Sequence, residues 1–120
     1  MSNFAGKRVL VVEDEPVVAM CLEDILDSLG CVTIGPASRL AEGLALAEAS
    51  GLDAAILDIN LGGSDRSVAI AETLRRRQIP FAFASGYGAP PDGFGDTTPL
   101  IEKPYREAEV ICALRALLGG

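Results

Sequence analysis

Four short stretches place groups capable of chemistry directly after apolar runs. Glu13-Asp14-Glu15 follow RVLVV, Asp58 follows AAIL, Ser85 follows FAFA, and Lys103 follows LIE. A gathering of carboxylates suits a divalent cation or a basic partner. A lone acid at the tip of a buried strand is costly to desolvate, so Asp58 caps something, escapes to water, or takes part in chemistry. The chain contains no histidine, which excludes histidine general-base catalysis and histidine-ligated metals.

Singly, each of these residues has an ordinary structural role. Acids ahead of a helix complement its dipole, Asp58 could form a turn, Ser85 before Gly86 is common turn chemistry, and Lys103 could be a solvated surface lysine. What distinguishes the set is the elements that carry it. Arg8 to Val12, Cys31 to Ile34, Ala54 to Leu57, Phe81 to Ala84 and Leu100 to Glu102 read as short strands. Between them, Pro16 opens a helix with Val18, Leu22, Ile25 and Leu29 on one side and Glu23, Asp24 and Asp27 on the other, closed by Gly30. Ser38 can cap a helix bearing Leu40, Leu44 and Leu46, and a third helix near Ser67 to Arg77 ends in three arginines. A last helix covers Glu107 to Leu118, with Val110, Leu114 and Leu117 inward. Where a fourth helix would fall, GYGAPPDGFGDTTP reads as loop or a short irregular turn.

Alternating strands and helices with continuously apolar strands predict an α/β fold with a parallel sheet covered on both faces. In a doubly wound sheet, ligands bind outside the carboxyl ends of the strands. The four reactive stretches all fall on those ends, so one sheet edge brings them together.

At 120 residues, 49% hydrophobic and 22% charged, the chain has the size and composition of one globular domain, 1–120. The net charge of -7 argues against a nucleic-acid binder. No apolar run approaches a membrane span, and the N-terminus does not resemble a secretory signal, so a cytoplasmic location is expected. Cys21, Cys31 and Cys112 are odd in number and lack a CxxC pattern; they read as buried free thiols.

VLVVEDEP, ILDINLGG, FASGYG and IEKPY, in this order and spacing, resemble the receiver domain of two-component response regulators over essentially the whole chain. FASGYG and the glycine-rich stretch after it further resemble the Phe-Ala-Thr-Gly-Tyr subgroup of receivers, mostly stand-alone domains that often lack a regular fourth helix. The resemblance implies a flavodoxin-like five-stranded sheet in the order 2-1-3-4-5, with the fourth helix short or missing.

It also implies roles. Asp58 would accept a phosphoryl group from a histidine kinase or a histidine phosphotransfer protein, giving an aspartyl phosphate. Mg2+ would be held by Asp14 and Asp58, by Glu13 through water, and by the backbone carbonyl of Asn60. Lys103 would supply positive charge to the phosphoryl group, Ser85 would be the switch hydroxyl, and Gly86 would leave room for the group to enter. Pro104 would form a cis bond with Lys103. Leu100 stands where receivers usually carry an aromatic switch residue, so the usual rotamer coupling does not transfer; Tyr87 is an alternative participant. Signalling would run through protein docking without an output domain, by a monomer or weak homodimer with neither nucleic acid nor membrane as partner.

A phosphatase of the haloacid dehalogenase type also uses a strand-end aspartate with Mg2+, but requires a second aspartate where this chain has Asn60. A flavodoxin-like flavin binder would need a Ser/Thr-rich phosphate loop after the first strand, where acids stand here. An inert pseudo-receiver is disfavoured because every reactive position is filled.

Overall fold

The computed structural model describes residues 4–49, 51–61, 66–86, 91, 93–94 and 98–119. Strands β1 (Arg8–Val12), β2 (Val32–Ala37), β3 (Ala54–Asp58), β4 (Phe81–Ser85) and β5 (Leu100–Glu102) form one parallel sheet in the order β2-β1-β3-β4-β5. Helices α1 (Pro16–Ser28), α2 (Leu40–Ala49), α3 (Val68–Arg76) and α4 (Glu107–Leu118) cover its two faces. This is the flavodoxin-like arrangement expected from the alternation of elements. Among the described residues no helix lies between β4 and β5.

The period-2 geometry of the strands divides the core in two. Val9 and Val11 of β1, Ile56 of β3, and Ala82 and Ala84 of β4 face α1 and α4. Leu10, Val12, Ala55, Leu57, Phe81 and Phe83 face α2 and α3. Because both of their faces are buried, the central strands β1, β3 and β4 carry continuous apolar runs rather than apolar residues at alternate positions. The α2/α3 face is filled by three phenylalanines. Phe94 meets Phe81 and Phe83 edge-on, with centroids 5.8 and 5.3 Å away, and the Arg75 guanidinium lies 4.1 Å from the Phe94 ring centroid. Arg75 also donates to the Gly93 carbonyl at 2.8 Å, tying the stretch after β4 to α3.

Three details depart from the sequence reading. The second strand runs past Ile34 to Ala37. Gly-Pro ordinarily breaks a strand, but here Gly35 takes φ +97° and the β1–β2 register shifts between Leu10 and Val12, so a bulge absorbs the interruption on an edge strand. A Cβ on Gly35 would lie 2.8 Å from the Ala37 nitrogen, which is why glycine stands there. In α1 the fully buried line is Ala19, Leu22 and Leu26, with Val18, Ile25 and Leu29 half-buried at its margin; the alanine turns the buried face slightly. Cys31 is buried as expected, but Cys21 and Cys112 are exposed, because each lies off the inward stripe of its helix.

Helix ends follow local chemistry. Pro16 opens α1, and Gly30 follows its C-cap with φ +83°. Arg75 and Arg76 occupy the last turn of α3. Before α2, the Ser38 backbone N–H donates to the Glu42 carboxylate at 3.0 Å, so the acid reaches back to cap rather than the serine reaching forward.

Candidate functional site

The strands end at one edge of the sheet, and backbone hydrogen bonds fix the loops that leave them. Glu13 N–H donates to the Ala37 carbonyl at 2.9 Å, Ile59 N–H to Ala84 at 3.0 Å, and Lys103 N–H to Ser85 at 2.8 Å. Glu13, Lys103 and the residue after Asp58 are thus each tied to a neighbouring strand. Asp14, Glu15, Asp58, Asn60, Ser85, Gly86 and Lys103 line a cleft of about 330 Å3 at this edge.

Lys103 lies across the acids. Its Nζ donates to Asp58 Oδ2 at 3.2 Å and to Glu13 Oε1 and Oε2 at 3.2 and 3.3 Å, with Glu15 Oε1 4.0 Å away. Glu13, whose side chain is wholly buried, also accepts from the Tyr105 hydroxyl at 3.3 Å and from Glu15 N–H at 3.3 Å. Burial is affordable for this carboxylate because donors reach both its oxygens.

Desolvation, followed by the hydrogen bond and charge of Glu13, pushes the Asp58 carboxyl up to about 7, against a partial downward pull from Lys103. Burial alone would lower the Lys103 ammonium, but the charges of Asp58 and Glu13 outweigh it and hold the group above its ordinary value. Burial, then the same two negative charges, also pushes the Tyr105 phenol up, so it remains a donor.

Oxygen atoms of Glu13, Asp14 and Asp58 lie within 4.8 Å of one another, the single such cluster of potential metal ligands among the described residues. An all-oxygen, all-carboxylate set suits a hard cation such as Mg2+. The upward push on Asp58 comes first from burial and then from the adjacent Glu13, and a cation beside the carboxylates would offset both.

The sequence-predicted residues are thus largely brought together. Glu13, Asp14, Asp58, Ser85 and Lys103 converge, Asn60 and Gly86 stand at the cleft, and a Cβ on Gly86 would meet nothing within 4 Å. The Lys103–Pro104 bond is cis. Leu100 pairs with Phe83 and packs against the α2/α3 core rather than lining the cleft. Tyr87 lies outside the described residues, as does much of the stretch between β4 and β5. Two residues had no role in the sequence reading. Tyr105 could have been suspected from its place two residues after Lys103; Phe94 sits in a glycine-rich stretch with no periodicity to mark it as core.

A strand-edge cleft of three carboxylates, a hydroxyl and a lysine on a 2-1-3-4-5 sheet defines the receiver class. The chain belongs to the response regulator receiver domain family, which it matches over residues 9–95. It is 32% identical over 118 residues to the phyllosphere-induced regulator PhyR of Methylorubrum extorquens, covering 92% of this chain but 43% of that protein, so it spans less than half of that relative's length. The solution structure of SdrG from Sphingomonas melonis Fr1 is 44% identical, with 98% of this chain and 99% of that chain covered and a TM-score of 0.84. The BeF3-activated conformation of SdrG, from Pseudomonas melonis Fr1, is 42% identical with 95% and 98% covered and a TM-score of 0.74.

Proposed function

We propose that the chain is a single receiver domain over 1–120 that accepts a phosphoryl group onto Asp58 from a phosphohistidine of a partner kinase or histidine phosphotransfer protein. The observation that carries this reading is the placement of Asp58: 5% exposed, at the tip of β3, bonded to Lys103, with its oxygen among those of Glu13 and Asp14. The phosphohistidine donor lies outside residues 1–120, which contain no histidine.

In the proposed reaction an Asp58 carboxylate oxygen attacks phosphorus as the phosphorus–nitrogen bond to the donor imidazole breaks. An acyl phosphate forms, and the imidazole leaves with the electron pair. Attack requires the ionised carboxylate, which metal-free crowding disfavours. Glu13, Asp14, Asp58 and the Asn60 carbonyl would hold Mg2+, which supplies positive charge to the acids and the phosphoryl oxygens. Lys103 moves its ammonium from the carboxylates to a phosphoryl oxygen, and Ser85 donates its hydroxyl to another. Gly86 leaves the approach open. Attack of water on the acyl phosphate then restores Asp58. Output passes through protein docking, in the cytoplasm, by a monomer or weak homodimer.

Val17 and Met20 support docking of a protein donor beside the cleft. They are 79% and 60% exposed on α1, the helix that leaves the acidic loop. No helix among the described residues is long and apolar enough to cross a membrane.

The reading is tested by intact-mass measurement after incubation with acetyl phosphate. A gain of one phosphoryl group that requires Mg2+ is expected in the wild type, and none in Asp58→Asn. Equal labelling of both proteins would overturn it.

A further inference from the structure

Glu13 carries more donors than a solvent-facing acid would hold. Lys103 Nζ serves both of its oxygens, the Tyr105 hydroxyl serves Oε1, and the Glu15 N–H serves Oε2. The proposed reaction draws Lys103 away to the phosphoryl group. Even with Mg2+ held among the acids, this wholly buried carboxylate would then lose the one charged donor shared by both its oxygens, so the hydrogen bonds that stay matter more. After Lys103 departs, one fixed donor remains for each oxygen: the phenol for Oε1 and the Glu15 amide for Oε2. Tyr105 is itself only 5% exposed, and its ring packs in the α1/α4 core, so its hydroxyl is held rigidly against Glu13.

We propose that Tyr105 is a positioning residue that retains the Glu13 carboxylate when Lys103 leaves, so that Lys103 is free to engage the phosphoryl oxygens. The inference rests on the reading of Asp58 as phosphoacceptor and extends it to a residue outside the reacting group. Tyr105 touches neither Asp58 nor the incoming phosphoryl group in this role. Its effect passes wholly through Glu13, and that route makes the inference testable.

Beryllofluoride, a non-covalent stand-in for the phosphoryl group, provides the readout. Its affinity in saturating Mg2+ is measured by 19F NMR for the full chain, for Tyr105→Phe, for Glu13→Gln and for the double variant. Phenylalanine keeps the buried ring and removes only the hydroxyl, and thermal unfolding of the four proteins without Mg2+ and beryllofluoride reports any loss of packing. Tyr105→Phe is expected to weaken beryllofluoride by about tenfold, the scale of one hydrogen bond to a buried charge. In the Glu13→Gln background the same change should do almost nothing, because the charge the phenol holds is gone. Undiminished loss in the Glu13→Gln background, or wild-type affinity in Tyr105→Phe, would overturn the inference while leaving Asp58 as acceptor. Failure of the wild type to bind beryllofluoride at all would overturn the phosphoacceptor reading and this inference with it.

Discussion

Asp58 sits where water is scarce and Glu13 is close, and its carboxyl is raised to about 7. The consequence for stability follows from proton linkage. Between the ordinary carboxylate range near about 4 and the raised value, the folded protein keeps a proton that the unfolded chain has released. Stability without metal therefore falls as pH rises through that window, and the full penalty is present above about 7. Asp58→Asn removes the charge without removing the shape. It should stabilise the metal-free protein at about pH 8 by on the order of 1–2 kcal/mol, after allowing for water in the open cleft, with the gain fading toward zero near about pH 4. Thermal unfolding in a chelator at the two pH values measures this, and an equal shift at both would contradict a raised Asp58 carboxyl. Mg2+ should narrow the gap, since it binds the acidic wild type in preference to the neutral variant. Residue types alone already pointed to Asp58, Glu13 and Lys103, because each is costly to bury singly and reasonable in combination. They could not reveal that Lys103 spans both acids, or that Tyr105 holds Glu13, because both facts depend on side-chain directions set across about ninety residues of chain.

Apolar runs and helical spacing made most of the elements legible, since buried parallel strands and amphipathic helices leave distinct patterns. Two places escaped that logic. The β2 bulge hides a continuing strand behind Gly35-Pro36, where local chemistry reads as a break. Phe94 is a core residue without a regular element, recruited from a stretch whose glycines and prolines signal loop. Its ring closes the α2/α3 face beside Phe81 and Phe83, while Arg75 covers it and grips Gly93. Phe94→Ala should therefore cost about 3 kcal/mol, as expected for deleting a buried aromatic ring. A lower urea midpoint with an unchanged slope would report that loss. A midpoint within error of wild type would show that Phe94 does not close the core. A change of slope would mean instead that the native or denatured ensemble had altered.

At the scale of the whole molecule, the sheet works as a frame whose carboxyl edge assembles one site from several loops. Val17 and Met20 are three residues apart on α1, so they share a face of that helix. If a protein donor docks there, Met20→Glu should slow phosphorylation by that donor at least about tenfold, through loss of an apolar contact and burial of a charge. Phosphorylation by acetyl phosphate, which needs no docking surface, should be unchanged. Equal slowing with both donors would place the defect in the cleft instead. The partner's identity is not written in the acids or the lysine, because those groups recognise a phosphoryl group and a cation rather than a particular protein. The central claim concerns where the phosphoryl group resides. The protein is phosphorylated with acetyl phosphate and Mg2+, reduced with borohydride, and digested for peptide mass mapping. Reduction of an aspartyl phosphate leaves homoserine in place of the aspartate, and the account predicts that conversion at position 58 alone. Homoserine at 14 or 53, or none anywhere after the intact protein has gained phosphate, would contradict it.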